Sequence, residues 1–230
     1  MFTNCISITI LKGKVLSDSN CNLPLVSVIM PVYNRQSYIQ RAITSVFNQT
    51  YNNWELIVVD DGSQDYSPFI AENFVLISEK VKLILQEHKH LPSAKNNGIR
   101  NSSGDFITFL DSDDEYKPDH IELRVKYLLN NSYVDLIHGG IHIIGDEFVP
   151  DKDNPNELIH LSKCVIGSTF FGRRKVFIDS GGFKDLSYSE DSEFFERIKD
   201  RFKIQKVEFP TYVYHREISD SITNLIKLKH

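Results

Sequence analysis

Four apolar, β-branched runs of strand length, LVSVIMPV (25–32), WELIVVD (54–60), VKLILQ (81–86) and DFITFLD (105–111), alternate with helix-forming stretches between residues 25 and 111. The first is nearly continuously apolar, as expected for a strand covered on both faces. Strand, helix, strand, repeated, predicts an α/β fold: a Rossmann-like, mostly parallel central sheet with right-handed crossovers and flanking helices. In the first helical stretch Ile39, Ala42, Ile43, Val46 and Phe47 share one face, and Asn34 is placed to cap it. A second helix is expected over Pro68 to Ser78, and a third in PSAKNNGIRNSSG, closed by Gly104. A chain of 230 residues with 41% hydrophobic content can bury one large core, so a single folded unit from 25 to 223 is expected.

The second half is less regular and predicts a smaller mixed region. Asp119 and Glu122 have capping-box spacing ahead of an Ile121, Val125, Leu128, Leu129 stripe. VDLIHGGIHIIG reads as a strand pair turning at Gly139–Gly140, and CVIGSTFF as another strand. Helices are expected over Arg174 to Ser180 and Ser189 to Phe202, with two short strands in KIQKVEFPTYVYH. Residues 1–24 hold a short apolar stretch, Ile6 to Leu11, and a polar SDSNCN segment, the pattern of an appended strand or loose arm; 224–230 form a tail.

Charge excludes some function classes. The net charge is −5 and basic residues are scattered apart from Arg173-Arg174-Lys175, itself read as a charged helix start; a phosphate-backbone tracker needs the opposite balance, so no nucleic acid partner is expected. Three cysteines, Cys5, Cys21 and Cys164, form neither a CxxC pair nor a disulfide framework, which suits a reducing cytoplasm. No segment approaches ~20 consecutive apolar residues. Membrane contact, if made, is therefore expected to be peripheral, at the cytoplasmic face.

Open α/β sheets bind ligands beyond the carboxyl ends of their strands. Tyr33-Asn34, Asp60-Asp61 and Asp111 to Asp113 each follow such an end. The last belongs to FLDSDDEYKPD, where Asp111, Asp113, Asp114 and Glu115 crowd into five residues. In a rigidly held loop such carboxylates repel unless a cation or donors neutralise them, and hard divalent ions prefer oxygen ligands. A solvated acidic loop is the bland alternative. An EF-hand register fails, because Tyr116 stands where the sharp turn needs glycine and Pro118 follows. Gly167 and Gly172 have P-loop spacing, but Arg173-Arg174 replaces the required Lys-Ser or Lys-Thr, and no G-x-G-x-x-G occurs.

With PVYNR, VVDDGS, LPSAKNNGI, GDFITFLDSDD and SEDSEFFER in this order, the chain resembles the inverting family 2 glycosyltransferases, whose fold is GT-A. The resemblance covers roughly Leu25 to Thr223 and divides that span into a nucleotide-sugar-binding half, 25–117, and an acceptor-side half, 118–223. It implies transfer of a sugar from a nucleoside diphosphate donor, a UDP-sugar foremost, to a saccharide or lipid-linked acceptor in polysaccharide or glycoconjugate synthesis. It also implies a divalent metal, Mn²⁺ or Mg²⁺. Pro31 and Tyr33 would meet the nucleotide, Tyr33 by stacking on the base; Asp60 would hydrogen-bond the base, Lys95 would make a donor-side contact where arginine is commoner, and Asp111 would lie near ribose and metal. Asp113 would ligate the metal, with Asp111 and His215 beside it, while Asp114 and Glu115 cap or face solvent. Asp191 matches the catalytic base and Glu190 its acceptor-side neighbour; His138 and Gly182, in Gly181-Gly182-Phe183, are weaker acceptor-side candidates. Structural alternatives stand beside these roles: Tyr33 packing on the first helix, Asp60 capping a turn, Glu190 and Asp191 favoured by a helix dipole. Two other functions stay open, an inactive nucleotide-sugar-binding module and a sugar-phosphate nucleotidyltransferase, although PVYNRQSY lacks the glycine-rich basic loop a triphosphate needs. The compact length leaves little room for an acceptor domain, so a partner, a homo-oligomer or a lipid acceptor would complete the site.

Overall fold

A computed structural model of the chain describes residues 23–151, 154, 156–186 and 189–218. The expected arm up to residue 22, Ser221 and the tail lie outside them. Strands β1 (Val26–Val32), β2 (Trp54–Asp60), β3 (Val81–Leu85) and β4 (Phe106–Phe109) alternate with helices α1 (Ile39–Phe47), α2 (Ser67–Ile77) and α3 (His90–Asn101). After β4 come β5 (Glu115–Tyr116), α4 (His120–Asn130), β6 (Leu136–His138), β7 (Ile141–Ile144), β8 (Phe148–Pro150) and β9 (Leu158–His160). The chain closes with β10 (Phe171–Arg173), α5 (Arg174–Asp179), α6 (Glu190–Ile198), β11 (Ile204–Lys206) and β12 (Tyr212–His215). The expected α/β architecture is the one found. A 7-stranded sheet runs β11-β6-β10-β4-β1-β2-β3, parallel except at β10, which is antiparallel to both neighbours.

Side chains alternate across β1, so Val26, Val28 and Met30 pack with α1, α2 and α4 on one face, while Ile29 joins α3, α5 and α6 on the other. Burial on both faces explains the apolar runs of β1, β2 and β4, whereas β3, at the sheet edge, leaves Lys82 and Leu85 exposed. Register aligns Val32 of β1 with Asp60 of β2 and Ile29 with Phe109 of β4, which brings the three polar turns to one edge.

Several local expectations are corrected. Asn34 does not cap α1; it adopts φ 52° and its Oδ1 accepts from the Gln64 N–H at 2.8 Å, locking the β1 turn to the β2 turn. Gly104 does not close α3, which ends at Ser102; a Cβ there would lie 2.6 Å from Ser27 N, so glycine is needed for the close approach to β1. The Asp119–Glu122 capping box does not form, since Glu122 is held by Thr50 Oγ1 at 2.6 Å and Lys126. The Gly139–Gly140 turn joins two strands that do not pair. β6 stays in the large sheet and β7 enters a 3-stranded sheet, β5-β12-β7. Both glycines have positive φ, 93° and 72°, and a Cβ on Gly140 would fall 2.2 Å from Phe209 O, so only glycine allows the step. CVIGSTFF, which follows a 3-10 turn at Leu161–Lys163, is mostly irregular, with a second 3-10 turn at Gly167–Thr169 before β10, and α6 stops at Ile198 rather than 202. The β8–β9 hairpin and β5 had no sequence signal beyond a few apolar residues.

Candidate functional site

A cavity of about 1300 Å³ opens over the carboxyl edge of β1, β2 and β4, lined there by Pro31, Tyr33, Asp61, Lys95, Asp111 and Asp113. Glu190, Asp191 and His215 line the same cavity, as do Val149, Leu161 and Ile166. Residues widely separated in sequence thus converge on one space, as the strand-end rule requires.

Tyr33 is exposed, and its ring stacks on His88 with centroids 4.1 Å apart. The imidazole is anchored by Nδ1 at 2.8 Å from Asp61 Oδ2. Asp61 Oδ1 further accepts from Gln86 Nε2 at 2.6 Å and from the Lys89 N–H at 2.8 Å. Asp60 sits behind it, 3% exposed and outside the cavity wall; Oδ2 accepts from the Ser63 N–H at 3.0 Å, and Oδ1 is buried with no hydrogen-bond partner among the described residues. Asp61 was placed at this edge by its strand end, but His88 had no sequence signal, because no spacing marks a histidine from the β3–α3 turn folding onto a tyrosine after β1.

The Asp111–Asp113 loop is clamped from β12. The Asp111 N–H donates to the Tyr212 hydroxyl at 3.2 Å, and that hydroxyl donates to Asp114 Oδ2 at 2.7 Å. The His215 N–H donates to Asp114 Oδ1 at 2.8 Å. Asp114 is therefore fully buried, not a cap or a solvent-facing residue, because the loop turns back under β12, the Asp114 N–H donating to the Asp111 carbonyl at 3.0 Å. Burial above all, then Asp113 and Asp111, raises its pKa well above the carboxylate range. Asp113 faces Arg35, with Nε 3.5 Å from Oδ2, and its carbonyl accepts from Arg41. Glu115 does not simply face solvent either: its Oε1 is 3.0 Å from His215 Nε2, while His215 Nδ1 is 2.7 Å from Glu217 Oε1.

Asp111 itself is pushed up to about 6 by burial and by Asp113 and Glu190, against the pull of Lys95 and the Ser168 hydroxyl. Oxygen donors held in this electrostatic deficit fit a divalent cation. Among the described residues no three His, Cys, Asp or Glu side chains group closely enough to hold a metal alone, so Asp111 and Asp113 would need substrate oxygens to complete a shell.

Lining the same cavity, α6 starts at Glu190 after Ser189 turns with φ 62°. Asp191 Oδ2 accepts from the Gly167 N–H at 3.0 Å and Oδ1 from the Ser192 N–H at 2.7 Å. Burial and the adjacent Glu190 raise the Asp191 pKa despite Lys95 and those amides, so desolvation outweighs the favourable helix end. A Cβ on Gly167 would lie 2.7 Å from Asp191 Cβ; glycine serves here as a seat for the aspartate, a role its P-loop-like spacing concealed. Lys95 Nζ is 2.8 Å from Glu190 Oε1. Two weaker candidates sit away from the cavity wall. His138 is buried against Phe170 and Phe195 and pushed down to about 4 by burial and Lys206. Gly182, at φ 74°, packs on Asn96, which bonds Phe183 at both its N–H and its carbonyl.

Comparison with known proteins accords with this fold. A relative from Haemophilus influenzae, named an uncharacterized glycosyltransferase, is 44% identical over 145 residues, covering 63% of this chain and 56% of the relative. The Escherichia coli UDP-Glc:alpha-D-GlcNAc-diphosphoundecaprenol beta-1,3-glucosyltransferase WfgD is 37% identical over 150 residues, 62% of this chain and 57% of that protein. The chain thus spans little more than half the length of these relatives. Among solved structures, S. aureus TarS 1-349 in complex with UDP-GlcNAc superposes with a TM-score of 0.70 at 19% identity, over 86% of this chain and 60% of that one. The mannosyltransferase PcManGT from Pyrobaculum calidifontis, in complex with GDP-Man and Mn²⁺, gives 0.66 at 21% identity over 83% and 56%. These likenesses show the GT-A fold, and the model of Glycosyl transferase family 2 matches residues 27–184, more than half of the chain, so the chain belongs to glycosyl transferase family 2.

Proposed function

We propose that this chain is a metal-dependent inverting glycosyltransferase that moves a sugar from a UDP-sugar to a hydroxyl of a saccharide or lipid-linked acceptor. The observation that carries the reading is the placement of Asp191, a half-buried carboxylate with raised pKa, on the wall of the same cavity as Asp111 and Asp113. UDP-GlcNAc bound to TarS and the diphosphoundecaprenol acceptor in the name of WfgD support the donor and acceptor classes. Metal dependence is supported by the carboxylate loop and by Mn²⁺ in the mannosyltransferase complex.

In this reading Pro31 and Tyr33 hold the nucleotide, with His88 as the ring that the base displaces or extends. Asp60 offers its unpartnered Oδ1 to the base edge, provided the turn opens toward it. Asp111 and Asp113 would hold Mn²⁺ or Mg²⁺. When bound, the cation neutralises charge growing on the departing diphosphate. His215 would reach that ion only by releasing Glu115 or Glu217, and it anchors the loop otherwise. Asp191 takes the acceptor hydroxyl proton as that oxygen attacks the anomeric carbon from the face opposite the leaving group, which inverts the centre. An elevated pKa suits the role, because a base must bind the proton it removes.

Nucleoside diphosphate release, measured over a donor panel with Mn²⁺, tests this. Asp191→Asn should lose about 10²–10⁴-fold in turnover, and Asp113→Ala or chelator should abolish it. Full transfer by Asp191→Asn defeats the base assignment. Donor binding by wild type with no turnover on any acceptor would instead favour a binding module.

A further inference from the structure

Lys95 is 3% exposed, and both of its direct partners come from the second half of the chain, Glu190 at the start of α6 and Phe183 ahead of it. Its Nζ donates to Glu190 Oε1 at 2.8 Å and lies 5.0 Å from the centre of the Phe183 ring. Glu190 is itself largely buried, so the pair is a desolvated brace from α3 to the first turn of α6. The next residue is Asp191, whose other flank is fixed by the Gly167 amide. In a poorly solvated wall a charge acts over a longer range than in water, and removing one partner of a buried pair strands the other.

We propose that Lys95 is a positioning residue for the transfer step, holding Glu190 through the buried ion pair so that Asp191 is kept ionised and aimed, rather than acting as a contact of the donor. The inference rests on the reading of Asp191 as base. Two adjacent carboxylates, Glu190 and Asp191, cannot both ionise in such surroundings without a nearby cation. Lys95 is the cation present: burial opposes its charge, but Glu190, Asp111 and Asp191 hold it protonated, and in return Glu190 stays below the usual carboxylate range. Among the described residues, Asp191 meets Glu190 on its own helix, Lys95 from α3, the Cys164 thiol and the Gly167 amide from the segment before β10, and Asp111 beyond β4 acts on both Lys95 and Glu190.

The experiment is the pH profile of kcat/KM, with KM for the donor, for wild type, Lys95→Arg, Lys95→Met, Glu190→Gln and the Lys95→Met/Glu190→Gln double variant. Losing the cation disfavours the ionised base, so in Lys95→Met the acid limb should move up by about one pH unit or more, while donor KM changes less than about twofold (RT-scale). Lys95→Arg should keep the wild-type limb, and the double variant should return toward it. Glu190→Gln, which removes the repelling carboxylate, should move the limb down and keeps the test alive if Lys95→Met fails to fold. A carboxyl-carbon NMR titration of Asp191 reads the same displacement without turnover. A raised donor KM in Lys95→Met with an unmoved limb and an unmoved Asp191 titration overturns the proposal. Transfer surviving in Asp191→Asn instead overturns the base assignment, whatever Lys95 does.

Discussion

The Tyr212 hydroxyl connects the two ends of the acidic loop, accepting from the Asp111 N–H and donating to Asp114. Four carboxylates in five residues are tolerable because they are treated differently: Asp114 is buried and hydrogen-bonded, Glu115 meets His215, Asp113 meets Arg35, and Asp111 alone is left between Lys95 and its acidic neighbours. Removing the hydroxyl leaves a buried amide and a buried carboxylate each short of a partner, a loss of about 1–3 kcal/mol. Tyr212→Phe should therefore lower the denaturant midpoint and, by loosening the loop that aims Asp111 and Asp113, weaken Mn²⁺ binding about 10–100-fold. Chemical denaturation and Mn²⁺ electron paramagnetic resonance check the two effects. Unchanged Mn²⁺ affinity would separate the relay from the metal ligands.

At the scale of elements, Glu55 of β2 pins the sheet at the edge away from the site. Its Oε1 accepts from Ser27 Oγ of β1 at 2.6 Å and from the Ser103 N–H at 2.6 Å, and Oε2 faces Lys82 Nζ of β3 at 2.7 Å. Burial opposes its ionisation, but Lys82, Ser27 and Ser103 overcome this and lower its pKa from 4.5 to about 2. A depressed carboxylate stabilises the fold at pH values above its unfolded pKa, and that stability is lost as pH falls through the folded value. Wild type should lose stability as pH drops from about 4.5 toward 2, and Glu55→Gln, weaker by about 2 kcal/mol at neutral pH, should lose less over that interval. Thermal melts across the pH series decide it. The same scale shows what local patterns can miss: Gly139 and Gly140 do mark a turn, but whether the next strand pairs with β6 or with β12 depends on the backbone of Phe209, 69 residues beyond Gly140, which no local pattern contains.

For the whole molecule, the cavity joins a polar wall from the parallel strands to an irregular second half, and a donor with its cation would bridge them. A ligand that binds only the folded state raises its apparent stability, by about 2.7 kcal/mol at a hundredfold excess over Kd. UDP-sugars with Mn²⁺ should raise the melting temperature in a thermal-shift screen, and the gain should vanish with chelator or in Asp113→Ala. No helix among the described residues is long and apolar enough to cross a membrane.

The order of β1 to β4, their helices and the convergence of Tyr33, Asp111 and Asp113 were legible from the sequence, because strand length, unbroken apolar runs and parallel crossover are local or topologically forced. So was Asp191, which an ordered set of motifs pointed to and the fold placed on the cavity wall. Other features depended on the tertiary structure. Asp114 is buried because β12 returns beneath its loop, His88 covers Tyr33 because two turns meet, and Lys95 pairs with a glutamate 95 residues away. Burial and pairing of charged groups depend on what folds over them, and that neighbour is set by packing rather than by adjacent residues.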